Sequence, residues 1–201
     1  MVRKQGGDSF HPTSQLLMRN RHVLYGRAVL VVNYPSDRFL RFLQEQWAVN
    51  PLTAFTYHYA AHQYAHALFQ PAHDTAPELH YGAFCPLLQQ YDAVVVYLPK
   101  GQLLTKMLLR MAATFLSPGG RLLLVGQNDA GIRSTVALLE EAIGPTHKVD
   151  AARHCLLLQA TLRATAPPFD LEEWGAHYQS VIAKSISSGE QNLVTSRRRQ
   201  N

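Results

Sequence analysis

A mostly parallel α/β sheet flanked by helices is the predicted fold, and three observations carry it. Leu122 to Val125 are four consecutive apolar residues bounded by Gly119, Gly120 and Gly126, too few for a helix and suited to a strand buried on both faces. Similar apolar runs stand at Ala28–Val32 and Tyr91–Leu98. Strand and helix patterns alternate about six times along the chain, which calls for crossover units rather than hairpins.

Taken in order, Met1 to Asp8 carry no apolar pattern and are expected to be disordered, and Pro12 to Arg19 open a short helix capped by Thr13 or Ser14. Ala28–Val32 is the first strand, and Phe39, Leu40 and Leu43 give the apolar face of the helix after it. Residues 54–59 are expected as a second strand, 60–69 as a helix, and 78–84 as a third, alternating strand. Tyr91–Leu98 is the fourth. Leu104, Met107, Leu108, Met111 and Phe115 then recur at helical spacing, with Pro118 and the two glycines expected to end that helix. After the strand at Leu122–Val125, a loop runs from Gln127 to Gly131. Ile132, Val136, Leu139 and Ile143 form one helical face, closed by Gly144 and Pro145, and His154 to Leu162 reads as a long last strand, antiparallel to a shorter one near Lys148. Beyond Pro167-Pro168, Asp170 with Glu173 resembles a capping box, and Trp174 and Tyr178 share a helix face. Ser, Gly, Gln, Asn and Arg dominate from Ser185, so residues 181–201 are expected as a flexible basic tail behind one domain spanning 9–180.

Composition narrows the setting. The 201 residues are 47% hydrophobic and 16% charged, enough for one well-packed domain. Nineteen Lys and Arg against fourteen Asp and Glu leave a net charge of +5, a basic excess that suits an anionic partner such as RNA. Two cysteines, Cys85 and Cys155, stand far apart and form no metal-type pair, and no apolar run reaches the roughly 20 residues of a membrane span, so a cytoplasmic protein is expected.

The loop after the first strand, Asn33-Tyr34-Pro35-Ser36-Asp37, contains no glycine, whereas a backbone that approaches a nucleotide closely usually needs one. No Asn-Pro-Pro-aromatic motif stands anywhere in the chain; Pro99 follows the fourth strand without its companions. His58, His62 and His66 repeat every four residues, but no carboxylate or cysteine completes a metal set and none is expected.

Several segments resemble one family in order and spacing. Val125 to Ser134, Lys148 to Cys155, and Phe169-Asp170 with Trp174 and Tyr178 are similar to the N-terminal domain of the bacterial 16S rRNA guanine-N2 methyltransferases. Pro12, Ser14, Leu16, Leu17 and Arg19, together with Tyr97-Leu98-Pro99-Lys100, extend the resemblance across roughly residues 9 to 178. It implies a Rossmann-like class I methyltransferase sheet with a degenerate cofactor loop, in which this copy of a duplicated fold holds rRNA of the small subunit and stabilises a catalytic half that is missing here. No catalytic or cofactor-binding residue is then expected in this chain, S-adenosylmethionine belonging to the missing half. An active S-adenosylmethionine site in an unusual loop, and a subunit that binds only protein, are the alternatives.

For RNA contact the candidates are Lys100, Arg133, Lys148 and Arg153, cationic groups at or near strand ends that suit phosphate oxygens. The structural alternatives are that Arg133 bonds Asp129 or a loop carbonyl and that Arg153 pairs with Asp150, while Asn128 and Asp129 cap the helix after them. Arg197 to Arg199 would add nonspecific affinity or simply solvate the tail.

Overall fold

The computed structural model describes residues 10–24, 28–47, 49–70, 76–85, 89–166, 169–170, 172 and 174–175. Residues 1–8, the capping partner Glu173, Tyr178 and the 181–201 tail lie outside them.

Among the described residues seven strands form one sheet: β1 (Val29–Val32), β2 (Leu52–Thr56), β3 (Glu78–Tyr81), β4 (Tyr91–Tyr97), β5 (Leu116–Gln127), β6 (Thr146–Ala152) and β7 (Cys155–Thr161). Their spatial order is β3-β2-β1-β4-β5-β7-β6. Pairing is parallel from β3 to β5, and β7 runs antiparallel between β5 and β6. The expected α/β class is thus the one observed, including the antiparallel final pair, although β6 is as long as β7 rather than shorter. The chain reverses direction across the sheet between β1 and β4, the switch point at which open sheets of this kind leave a crevice beyond the strand ends.

Burial on both faces explains the unbroken apolar runs. Val29, Val31, Ala93, Val95, Leu123 and Val125 join Leu16, Leu17, Phe39, Leu40, Leu43 and Trp47 in one core, beneath α1 (Pro12–Arg19) and α2 (Phe39–Trp47). The alternating residues Leu30, Val32, Val94, Val96, Leu122 and Leu124 are also wholly buried, and α4 (Gln102–Thr114) packs against β4 and β5 and against α5 (Val136–Ala142). Side chains alternate faces along a strand, so each strand must be apolar at every position to serve both layers. Shortening one of them, as Leu123→Ala would, costs about 2–5 kcal/mol.

Three expectations need correction. The helix before β5 is not ended by Pro118 and its glycines: it stops at Thr114, and Leu116 already pairs with Tyr91. The β4 partner advances only from Tyr91 to Ala93 while β5 advances from Leu116 to Arg121, so Ser117 to Gly120 bulge out of the strand, with Gly119 at a φ of 75°. The N-terminal helix is capped by His11, whose imidazole accepts from the Thr13 amide, while Thr13 and Ser14 are buried inside the first turn. β2 ends at Thr56, so His58 precedes α3 (Tyr59–Leu68) as its cap residue instead of ending a strand.

In the C-terminal unit, Pro168–Asn201, the Asp170 carboxylate accepts from the Glu172 amide and the Trp174 amide donates to the Asp170 carbonyl. The expected partners Glu173 and Tyr178 lie outside the described residues; the Phe169 and Trp174 rings lie 6.5 Å apart.

Candidate functional site along the carboxyl edge of the sheet

At the end of β1 the chain turns without a glycine because an asparagine takes the left-handed conformation. Asn33 has φ 58°, a region in which asparagine is enriched among non-glycine residues. It is buried; its amide Nδ2 donates to the Tyr97 carbonyl at 2.8 Å and its backbone N–H to the Phe55 carbonyl at 2.8 Å, tying the ends of β1, β2 and β4 together. Asp37 accepts from the Phe39 amide at 3.0 Å, capping α2, and from the His11 amide at 2.9 Å. Ser14 and the Tyr97 hydroxyl form a buried 2.8 Å hydrogen bond, and burial holds that phenol well above its ordinary pKa, aided by the nearby Asp37 charge. Two polar atoms in this pocket of the fold, Asn33 Oδ1 and the Tyr34 hydroxyl, are buried without a hydrogen-bond partner. Desolvation pushes the Tyr34 phenol far up as well. In the sequence, the signal for this turn is an asparagine directly after a buried strand rather than a glycine.

Farther along the same edge the surface is basic. Lys100 is exposed after β4, and Arg133 is exposed in the 3-10 turn Ile132–Thr135 after β5. β6 and β7 are joined by a two-residue turn, Arg153-His154, with φ 51° and 61°, as a type I′ hairpin requires. Antiparallel pairing sets Cys155 opposite Gln127, and the Asn128 amide donates to the His154 carbonyl at 2.8 Å, so the Arg153 turn lies at the same edge as the loop after β5. Arg133 and Lys148 both line one groove of about 380 Å³, together with Asn128, Val136, His147, Leu156 and Leu158. Lys100 and Arg153 are not among its lining residues.

The expected local partners are not the ones formed. Asp150 accepts from Asn20 at 2.8 Å and from Arg19 at 3.0 Å, joining α1 to β6, and does not pair with Arg153. Among the described residues none of Lys100, Arg133, Lys148 and Arg153 makes an ion pair. Asn128 and Asp129 do not cap the next helix through their side chains; Gly131, in the left-handed region, stands at that position instead. Gly126 is required by close packing, since a Cβ there would lie 2.8 Å from the Leu98 Cβ. Among the described residues no group of three histidine, cysteine or acidic side chains is placed to hold a metal.

With strand order and edge in view, the relatives can be placed. Residues 14–178 match the methyltransferase small domain N-terminal family. The chain belongs to that family. The ribosomal RNA small subunit methyltransferase C of Shewanella sediminis is 36% identical over 166 residues, which is 83% of this chain and 47% of that protein. Its counterpart in Shewanella putrefaciens is 38% identical over 167 residues, covering 83% and 48%. This family member therefore spans about half the length of the curated relatives it matches.

Among solved structures, a T. thermophilus 16S rRNA N2 methyltransferase in complex with AdoMet and guanosine superimposes with a TM-score of 0.61 at 18% identity, over 84% of this chain and 46% of that one. The N-methyltransferase NodS of Bradyrhizobium japonicum, bound to S-adenosyl-L-homocysteine, gives 0.59 at 14% identity over 77% and 89%. These likenesses establish the methyltransferase fold.

They also overturn the expectation that this chain holds no cofactor. The seven-stranded sheet is one on which structures with AdoMet and its demethylated product have been solved. Strand order and strand ends create that ligand crevice, so a glycine-free loop does not abolish it. The residues at the end of β1 fit a polar ligand to this extent: Asn33 Oδ1 and the Tyr34 hydroxyl are buried groups with unused hydrogen-bonding capacity. Such a cofactor supplies an electrophilic methyl group; the chain's own part would be to bind and orient it. Among the described residues no helix is long and apolar enough to cross a membrane.

Proposed function

We propose that this chain is the rRNA-holding half of a small-subunit rRNA guanine-N2 methyltransferase and that it stabilises a catalytic domain joined to it in cis or in trans. The open basic groove at Arg133 and Lys148 carries the reading. Exposed guanidinium and ammonium groups that make no close ion pair among the described residues are suited to phosphate oxygens, which position a nucleic acid without reading its sequence. Lys100 and Arg153 extend the same cationic edge, and the cytoplasm is the compartment that goes with this substrate. The relatives' names and the half-length match support placing the activity in a larger assembly.

The test is binding of the full chain to a small-subunit rRNA fragment over a salt series, together with methyl transfer from AdoMet. Micromolar or tighter binding with a clear negative slope of log affinity against log salt is expected. No methylated product is expected without the second domain. Absence of binding at low salt would leave a role in protein assembly alone.

A second reading keeps methyl transfer within this chain. The unpartnered Asn33 Oδ1 and Tyr34 hydroxyl at the end of β1 favour it. Incorporation of labelled methyl groups into the rRNA fragment by this chain alone would establish it over the first.

A further inference from the structure

At the far end of the same carboxyl edge lies a cluster of rings that the basic groove does not explain. Thr56 and Tyr81, the last residues of β2 and β3, stand opposite one another, and Tyr57, His58 and Tyr59 lead from β2 into α3. Tyr59 is 60% exposed and Tyr81 50% exposed. Their rings meet edge to face at 5.6 Å, and His62 stacks on Tyr81 at 5.4 Å with an interplanar angle of 28°. His66 closes edge-on to His62 at 4.7 Å. Gln63 donates to the Tyr59 hydroxyl at 2.8 Å, so the outermost ring is held from behind by its own helix.

Scattered exposed rings are ordinary; a set that orders itself while remaining in water is a recognition surface. Its geometry suits a flat, polarisable ligand that gains from π contact and tolerates a polar rim of hydroxyl and imidazole groups. Desolvation, and the neighbouring His66 and His80, lower the pKa of His62, which favours its neutral form. Location narrows the ligand further. Three strand spacings of about 4.8 Å, or about 14 Å in all, separate β3 from β4, whose end leads to Lys100. A strand with phosphates at Lys100 and along the cationic edge can therefore bring its bases to the rings.

We propose that Tyr59 and Tyr81 form a stacking platform for an unpaired base of single-stranded RNA. The assignment rests on the rRNA-holding reading and adds what part of the RNA is recognised: an unstacked base rather than a duplex. Aromatic stacking is the sequence-tolerant way to hold such a base, and it complements phosphate contacts that carry the salt dependence.

The experiment compares the full chain with Tyr59→Ala/Tyr81→Leu and with Tyr59→Phe/Tyr81→Phe. The probes are a single-stranded oligonucleotide of small-subunit rRNA sequence containing 2-aminopurine, a duplex of the same composition, and AdoMet. The Ala/Leu variant should lose at least about fivefold in single-strand affinity and the 2-aminopurine quench, with the salt slope and the duplex affinity unchanged. The Phe variant should bind as the parent does. Urea midpoints and far-ultraviolet circular dichroism confirm that both variants are folded. Salt-dependent RNA binding that is unaffected in the Ala/Leu variant overturns the platform and leaves the rRNA-holding reading intact. Loss of AdoMet binding in place of RNA binding would assign the rings to the cofactor and also overturn it. If the parent binds no RNA, both fall together.

Discussion

The loops that follow β1 and β5 leave the same edge of the sheet and treat their polar groups in opposite ways. After β1, Asn33, Tyr34 and Asp37 turn inward: all three are buried, and Asp37 is bonded to the amides of both His11 and Phe39. After β5, Asn128, Arg133 and the facing Lys148 line an open groove, and Arg133 and Lys148 make no ion pair there. The first loop uses the Asn33 amide Nδ2 and the Asp37 carboxylate to hold α1, α2 and the strand ends together, and leaves Asn33 Oδ1 and the Tyr34 hydroxyl buried without partners. The second keeps its charges available in water. A polar residue at a strand's carboxyl end is therefore not by itself a sign of ligand contact; what matters is whether the fold has already given it a partner.

The sharpest way to break this contrast is at the sealed loop. Asn33→Ala places an L-alanine at φ 58° and orphans the buried Tyr97 carbonyl, so unfolding in urea should show a loss of about 3 kcal/mol. Asn33→Gly should recover about 1 kcal/mol of that, because it relieves the backbone but not the hydrogen bond. RNA affinity measured under folding conditions should stay at the parent value in both.

The open edge should respond in the converse manner. Replacing Arg133 and Lys148 together with glutamine should weaken rRNA binding about tenfold at moderate salt and reduce the salt slope by about 1.4 to about 1.8. Stability should move by less than about 0.5 kcal/mol, because neither side chain is buried or paired. A large fall in the urea midpoint would show that the groove is structural after all.

The smallest expected effect lies on the tie that joins the two regions. The Asn20 hydrogen bond holds the Asp150 carboxyl below its usual range, with the Ala151 amide and the charges of Arg19 and Lys148 adding to it and partial desolvation opposing it. A depressed carboxyl pKa contributes stability above the unfolded value near 4, and that contribution is lost as pH falls through the folded value. Asp150→Asn should therefore lower the thermal midpoint slightly at pH 7 and flatten its fall below about pH 4. A parallel shift at all pH values would argue against the charge.

Much of this was legible beforehand. Unbroken apolar runs such as Val29–Val32 and Leu122–Val125 can only be satisfied between two helical layers, so the sheet class followed from them. α4 is less legible: Leu108, Met111 and Phe115 are buried as expected, but Leu104 and Met107 are only partly so, and Leu109 takes a core place that helical spacing does not assign to it. The bulge at Ser117–Gly120 and a helix-ending turn look alike in sequence because Pro and Gly punctuate both, and only pairing with β4 tells them apart. The cofactor expectation failed for a related reason. The glycine content of one loop is a local property, whereas the crevice is created by the whole strand order.

By itself the sequence determined the layered α/β sheet, the antiparallel closing pair and the basic character of the chain, because burial period and charge are local, additive properties of residues. Tertiary structure alone decided which charges are engaged. Asp150 could have met Arg153 three residues away but is bound to Asn20 and Arg19, 130 and 131 residues away. Tyr97 meets Ser14 across 83 residues, and Tyr59 and Tyr81 become one platform only when β3 docks beside β2. Such pairings depend on where the backbone brings side chains in space, and no local pattern encodes that choice.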